Sequence, residues 1–296
     1  MYQNTLARPV QIEGIGLHCG KISKLTLLPA APHYGIRFVR TDIPEQPEFP
    51  ASVDFVTSTF FATTIGIDHV QVSTVEHLLS ALSGLNVSNV RIEIEGEEIP
   101  ILDGSAYPFV ARILDAGILT QAVRKNEFII KRPISLIDGN KCAHLLPSDG
   151  FRITSTIDFN NPCIGKQTLD LILTPESFCK EIARARTFGF LRDVELMRKN
   201  GLAMGGSLEN VIVVGPEKVL NPDGLRYPDE FVRHKVLDAI GDLSLLGFPI
   251  RGHLITERGG HDLHHQLLNQ VLQETESWEI SVPLYESQPK AASSYI

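Results

Sequence analysis

Apolar and polar positions alternate in two widely separated stretches that share one order of landmarks. The first runs Arg8-Pro9-Val10-Gln11-Ile12, then Leu27-Leu28-Pro29, then Gly35-Ile36-Arg37-Phe38. The second runs Arg132-Pro133-Ile134-Ser135-Leu136, then Leu145-Leu146-Pro147, then Gly150-Phe151-Arg152-Ile153. Period-two alternation of this kind predicts the strands of a half-buried sheet. Further on, each stretch is followed by a helix that carries a histidine and then by a strand: His77 to Gly84 with Asn89 to Glu95, and His234 to Leu246 with Ile250 to Glu257. Ser73 is placed to N-cap the first helix, and Pro228-Asp229-Glu230 gives the second an acidic start that complements its dipole. The repeat predicts an α+β fold of two similar halves, each a sheet with packed helices, over residues 1–124 and 125–296 and joined near Arg124 to Glu127.

Punctuation residues place the other elements. Tyr107 to Ala116 reads as a helix ending at Gly117, Thr174-Pro175-Glu176 as the start of a helix to Arg184, and Leu191 to Asn200 as a helix closed by Gly201. His261 to Trp278 carries Leu263, Leu267, Val271 and Leu272 at helical spacing, and the tail after Pro283 reads as loose.

Composition narrows the function classes. In 296 residues, 27 basic against 35 acidic side chains leave a net charge of −8, which argues against a general binder of nucleic acid or anionic membranes. The four cysteines, Cys19, Cys142, Cys163 and Cys179, form no C-x-x-C pair, so neither a disulfide scaffold nor a thiolate zinc site is indicated. With no signal-like N-terminus and no run of membrane-spanning length, the expected setting is cytoplasmic.

Five of the ten histidines, His234, His253, His261, His264 and His265, fall in one short stretch. His234 and Asp238 stand one helical turn and about 40° apart, so both side chains reach one point. Imidazole nitrogen and carboxylate oxygen at that spacing suit Zn²⁺, although a surface ion pair is the plainer reading of the pair alone. Ser73-Thr74-Val75-Glu76-His77 offers a third nitrogen in His77 and a general base in Glu76, but S-x-x-E is also a capping box that needs no catalysis. Neither H-E-x-x-H nor H-x-x-E-H occurs, so a metal site has to be assembled across the two halves. His261 follows the flexible turn Arg258-Gly259-Gly260 and could swing a titratable ring into a cleft, whereas His264 and His265 read as solvated surface residues and His253 as a bystander. The loop Arg184-Ala185-Arg186-Thr187-Phe188-Gly189-Phe190 mixes cations, a hydroxyl and aromatics; aromatic core packing is its default reading, and such a combination can also hold a polar head group beside an acyl tail.

Five segments then occur in a specific order: Ser-Thr-Val-Glu-His at 73–77, Ile-Pro-Ile-Leu-Asp-Gly-Ser-Ala at 99–106, Ala-Arg-Thr-Phe-Gly-Phe at 185–190, Arg-His-Lys-Val-Leu-Asp-Ala-Ile-Gly-Asp at 233–242 and Gly-Gly-His at 259–261. Together they resemble the bacterial UDP-3-O-acyl-N-acetylglucosamine deacetylases of lipid A biosynthesis, and the likeness runs from about Thr5 to Trp278. The resemblance implies a sandwich of the two halves with the active site between them. It implies zinc held by His77, His234 and Asp238, a metal-activated water with Glu76 as base and His261 as acid, and Thr187, Lys235 and Asp242 lining the site. It further implies Lys141, Phe159 and Arg258 at the nucleotide, with Phe188 and Phe190 beside the substrate. Gly205-Gly206-Ser207 follows a helix that in the family borders an acyl-chain passage.

The expected partner is therefore a small UDP-linked acylated sugar, with no nucleic acid, no stable membrane insertion and a monomeric chain. Fe²⁺ is the alternative metal, since His and Asp ligands accept both ions. Two other readings stand beside this one: a zinc amidase of different substrate, and a non-catalytic nucleotide-sugar or acyl-binding protein in which Glu76 caps a helix.

Overall fold

The computed structural model describes residues 1–281, so the tail after Pro283 lies outside the described residues. The first part of the chain forms β1 (Tyr2–Leu6), β2 (Val10–Ile15), β3 (Ile22–Pro29), β4 (Ile36–Arg40), β5 (Glu48–Pro50), β6 (Val56–Ser58), β7 (Thr64–Ile67), β8 (Val70–Val72), α1 (Glu76–Gly84), β9 (Val90–Glu95), α2 (Tyr107–Ala116) and β10 (Ile118–Arg124). The second forms β11 (Phe128–Ile130), β12 (Ile134–Asp138), β13 (Lys141–Leu146), β14 (Phe151–Phe159), β15 (Gly165–Ile172), α3 (Pro175–Ser177), β16 (Phe188–Phe190), α4 (Leu191–Lys199), β17 (Ile212–Val214), α5 (Glu230–Leu243), β18 (Ile250–Glu257), α6 (His261–Gln273) and β19 (Trp278–Ile280).

The fold is mixed α+β, and the alternating stretches are strands in both places. One sheet has the order β2-β3-β9-β4-β5. In the other, β12, β13 and β18 are neighbours in that order, and β14 joins β18 to β15. Directions match as well: β9 is antiparallel to β3 and parallel to β4, as β18 is antiparallel to β13 and parallel to β14. The flanking pairs correspond too, since β1 is antiparallel to β10 and β11 is antiparallel to β19.

Several helices differ from their sequence expectation. Thr174 does cap a turn, through a reciprocal bond with Ser177, but the regular helix stops there and a π turn, Phe178–Ile182, replaces the run to Arg184. The last long helix ends at Gln273 rather than Trp278, because Trp278 enters β19 beside Phe128 and its indole N–H donates to the Val271 carbonyl. Ser73 does not cap α1, which starts with no side-chain cap; its hydroxyl instead accepts from Thr64.

Every residue of α1 except Ser83 is buried, and α5 is buried apart from Arg233 and Lys235. A helix enclosed on nearly all sides lies inside a core rather than on it. The two helices pack on each other so closely that a Cβ at Gly241 would stand 2.1 Å from the Glu76 carbonyl oxygen. Glycine is required at this crossing by space, and the crossing brings the His77 end of α1 against the His234 to Asp242 face of α5.

Candidate metal centre and active site

At the crossing of α1 and α5, His77, His234 and Asp238 converge, each buried, with one potential ligand atom apiece all within 4.8 Å of one another. Asp238 Oδ1 lies 3.3 Å from His234 Nε2 and 3.7 Å from His77 Nε2, and the two rings meet edge to face at 5.0 Å. His234 Nδ1 is 3.1 Å from the Ala185 carbonyl, so it carries the proton and Nε2 keeps a free lone pair. Burial, reinforced by the neighbouring His234, drives His77 down to about 3, and burial lowers His234 as well, so both rings are neutral. Asp238 is held well below the ordinary carboxylate range; burial opposes its charge, but its positive surroundings, with the Lys235 ammonium bonded to Oδ2, outweigh it. Its Oδ1 is buried without a hydrogen-bond partner. Two neutral imidazoles and an ionised carboxylate with an unsatisfied oxygen fit a divalent cation, and the nitrogen and oxygen donor set suits Zn²⁺. A surface ion pair, the plainer reading of His234 with Asp238, does not describe a pair that is 2% exposed on both sides.

Glu76 stands at the start of α1, 3% exposed. It forms no capping box with Ser73, and its carboxylate accepts from the Thr63 backbone N–H at 3.1 Å, across a loop. Burial pushes it up to about 8; His261 opposes that shift, while Asp242 and Asp238 add to it. His261 Nε2 is 3.7 Å from Glu76 Oε1, and His261 Nδ1 is 2.9 Å from Asp242 Oδ2. Burial works against a charge on His261, but Asp242 and Glu76 raise it to about 9. Contrary to a ring that swings on a glycine turn, His261 is fixed at the first position of α6 by Asp242.

Lys235 leans along α5 to bond Asp238 Oδ2 at 2.8 Å, and its ammonium lies 5.7 Å from the Phe188 ring centroid. Thr187 precedes β16, its backbone held between the Gly104 carbonyl and the Ile212 N–H. Phe188 lies 6.3 Å from His234 and 5.7 Å from Phe159, which in turn is 5.7 Å from Phe190. These half-buried rings lead from the metal group to the end of the second sheet. Pairing of Asp138 with Lys141, and of Glu257 with both Cys142 and Thr156, brings Lys141, Phe159 and Arg258 to that same end. There Arg258 bonds Asp158 at 2.5 Å and the Asn140 carbonyl at 3.2 Å.

One sequence reading is corrected here. His264 is not a solvated bystander: it is 1% exposed and its Nδ1 is 2.8 Å from Asp242 Oδ2. His253 and His265 are only half-buried and bond Thr154 and Asn269. The cation Arg186 does not face a ligand. It is 6% exposed and locked to the fully buried Glu230 at 2.9 Å and 3.1 Å, which ties the 184–190 loop to the start of α5 and sets the Ala185 carbonyl over His234. Sequence reasoning also missed Thr63, whose hydroxyl lies 2.6 Å from Asp242 Oδ1; nothing local in the chain marks it.

Comparison with known proteins identifies the family. The family profile described as UDP-3-O-acyl N-acetylglycosamine deacetylase matches residues 3–273. A UDP-3-O-acyl-N-acetylglucosamine deacetylase of Myxococcus xanthus is 51% identical over 278 residues, covering 94% of this chain and 88% of that protein. Proteins of the same description from Syntrophotalea carbinolica and Methylococcus capsulatus are 48% and 49% identical over 280 residues, covering 95% and 94% of this chain and 91% and 92% of theirs. With the likeness spanning both sheets and all five motifs, the chain belongs to the UDP-3-O-acyl-N-acetylglucosamine deacetylase family.

Proposed function

We propose that the chain hydrolyses the N-acetyl group of UDP-3-O-acyl-N-acetylglucosamine to UDP-3-O-acyl-glucosamine and acetate, the committed step of lipid A biosynthesis. The observation that carries this reading is the burial of Glu76 and His261 side by side next to the His77, His234 and Asp238 group. A helix cap or a binding module has no use for a carboxylate and an imidazole enclosed together with such a donor set.

His77, His234 and Asp238 would hold the metal, taken as zinc with ferrous iron the alternative. Zinc with three protein ligands supplies a lowered pKa for bound water, towards about 7, and Lewis-acid polarisation of the acetyl carbonyl. Glu76, which a cation held beside it would keep ionised while burial leaves it strongly basic, takes a proton from the attacking water. Thr187 donates to the acetyl oxygen as negative charge develops there. His261, kept charged by Asp242, delivers its Nε2 proton to the departing sugar nitrogen. Lys235 balances the charge of Asp238 and faces the substrate beside Phe188. Lys141 and Arg258 supply local positive charge for the diphosphate of an otherwise acidic chain, with Phe159 as a face for uracil. Phe188 and Phe190 lie along the path to the acyl chain. The exposed Leu191 and Leu196 of α4, with Met204 just before Gly205-Gly206-Ser207, offer apolar surface for that chain.

The same reading takes residues 1–124 and 125–296 as two domains packed as a sandwich around the site, in a monomer working in the cytoplasm. Among the described residues no helix is long and apolar enough to cross a membrane.

Single substitutions separate the roles. Glu76→Ala and His261→Ala should each lower kcat by about 10²- to 10⁴-fold with one metal still bound, and His234→Ala should lose the metal by elemental analysis. Unchanged turnover in either of the first two removes that residue from its role, and full metal stoichiometry in the third contradicts the ligand assignment.

A further inference from the structure

Asp242 is the most heavily bonded carboxylate of the site. Thr63 Oγ1 lies 2.6 Å from Oδ1, while His261 Nδ1 at 2.9 Å and His264 Nδ1 at 2.8 Å share Oδ2. An ionised carboxylate only accepts, so both imidazoles must carry their proton on Nδ1. For His261 this turns Nε2 towards Glu76, where the reacting nitrogen has to stand. His264 cannot reach the chemistry. It sits one turn further along α6, and its buried Nε2, against Gly259, has no hydrogen-bond partner. A buried ring with one nitrogen unsatisfied is a costly way to fill space that leucine would fill without penalty. Its single bond, to Asp242, is what that cost maintains. Thr63 acts on the opposite oxygen, and its backbone N–H also holds Glu76, so the acid and the base are tied to one loop residue.

We infer that His264 is a positioning residue which, together with Thr63, clamps the Asp242 carboxylate so that His261 aims its Nε2 proton at the leaving amine. The inference rests on the reading of His261 as the acid. Without His264, Asp242 keeps its charge but can turn, and His261 turns with it; substrate binding, carried by other residues, is unaffected.

The test compares His264→Leu, which keeps the volume and removes the donor, with His264→Asn, which restores an N–H near the position of Nδ1. Acetate release from UDP-3-O-acyl-N-acetylglucosamine is measured for both beside the wild type. The Leu variant should lose about 10- to 100-fold in kcat, as expected for a buried bond to a charged group, with KM within about twofold and full metal content. The Asn variant should recover most of that loss. A Leu variant with wild-type kcat, or Leu and Asn variants that fall alike, overturns the inference. If His264→Leu does not fold, Thr63→Val against Thr63→Ser asks the same question at Oδ1: Val should lose turnover and Ser keep it, and equal values overturn the clamp. A wild type that releases no acetate overturns the functional reading itself, whereas an active wild type with insensitive variants removes the clamp alone.

Discussion

Glu76 and Asp242 are carboxylates enclosed in one pocket, and their surroundings drive them in opposite directions. Asp242 receives three side-chain donors and stays ionised, while Glu76 has only backbone N–H donors and two carboxylate neighbours, so in metal-free protein burial prevails and pushes it up to about 8. The sign of the consequence for stability follows. A folded-state pKa above the ordinary 4.5 contributes stability that is complete below about 4.5 and is lost as pH rises through about 8. Glu76→Gln keeps the acceptor for Thr63 but does not titrate. In metal-free protein its stability relative to wild type should therefore increase between pH 5 and pH 8, measured by denaturant melts at both. A difference that is flat or shrinks with pH would show that Glu76 is not buried as an acid. At this scale the sequence disclosed the residues whose spacing is local, His77 beside Glu76 and His234 with Asp238. It hid those whose meaning comes from contact across the chain: Thr63 meets Asp242 179 positions away, and His264 looked like one more polar residue of an amphipathic helix until α6 was packed on α5.

Among the elements, helices were legible where their ends are punctuated and obscured where tertiary contacts decide. Gly117 stops α2 where expected. Yet α1 dispenses with a cap, because Ser73 is drawn into a bridge with Glu98 and Thr64. Tertiary contact decides in the 184–190 loop too. Its mixture of arginine and phenylalanine resembles a ligand surface, but Arg186 points inward to Glu230, and its task is to hold the loop on α5. Removing the cation leaves Glu230 buried and unpaired, which costs about 3–5 kcal/mol. Arg186→Leu should lower the melting temperature accordingly. It should also weaken metal binding by about 10- to 100-fold in a chelator competition, because the Ala185 carbonyl that orients His234 is no longer held. A destabilised variant with wild-type metal affinity would break that link.

For the molecule as a whole, the shared strand order of the two parts was legible because each keeps the landmarks that fix sheet register: Leu27-Leu28-Pro29 and Leu145-Leu146-Pro147 lie at the ends of β3 and β13. What each part contributes chemically was not visible from that likeness, since the two parts carry different residues at the site. The first gives His77 and Glu76; the second gives His234, Asp238, Asp242 and His261. One continuous apolar core joins α1 and α5 with both sheets, so the ligands of the metal group are brought together only by the packing of the two parts. Activity is therefore a property of the assembled chain with its metal. The direct test is acetate release from UDP-3-O-acyl-N-acetylglucosamine by the purified protein before chelation, after chelation and after adding back one equivalent of zinc. Release that stops on chelation and returns with zinc is the predicted result, whereas release that persists without metal, or never occurs, would contradict the account.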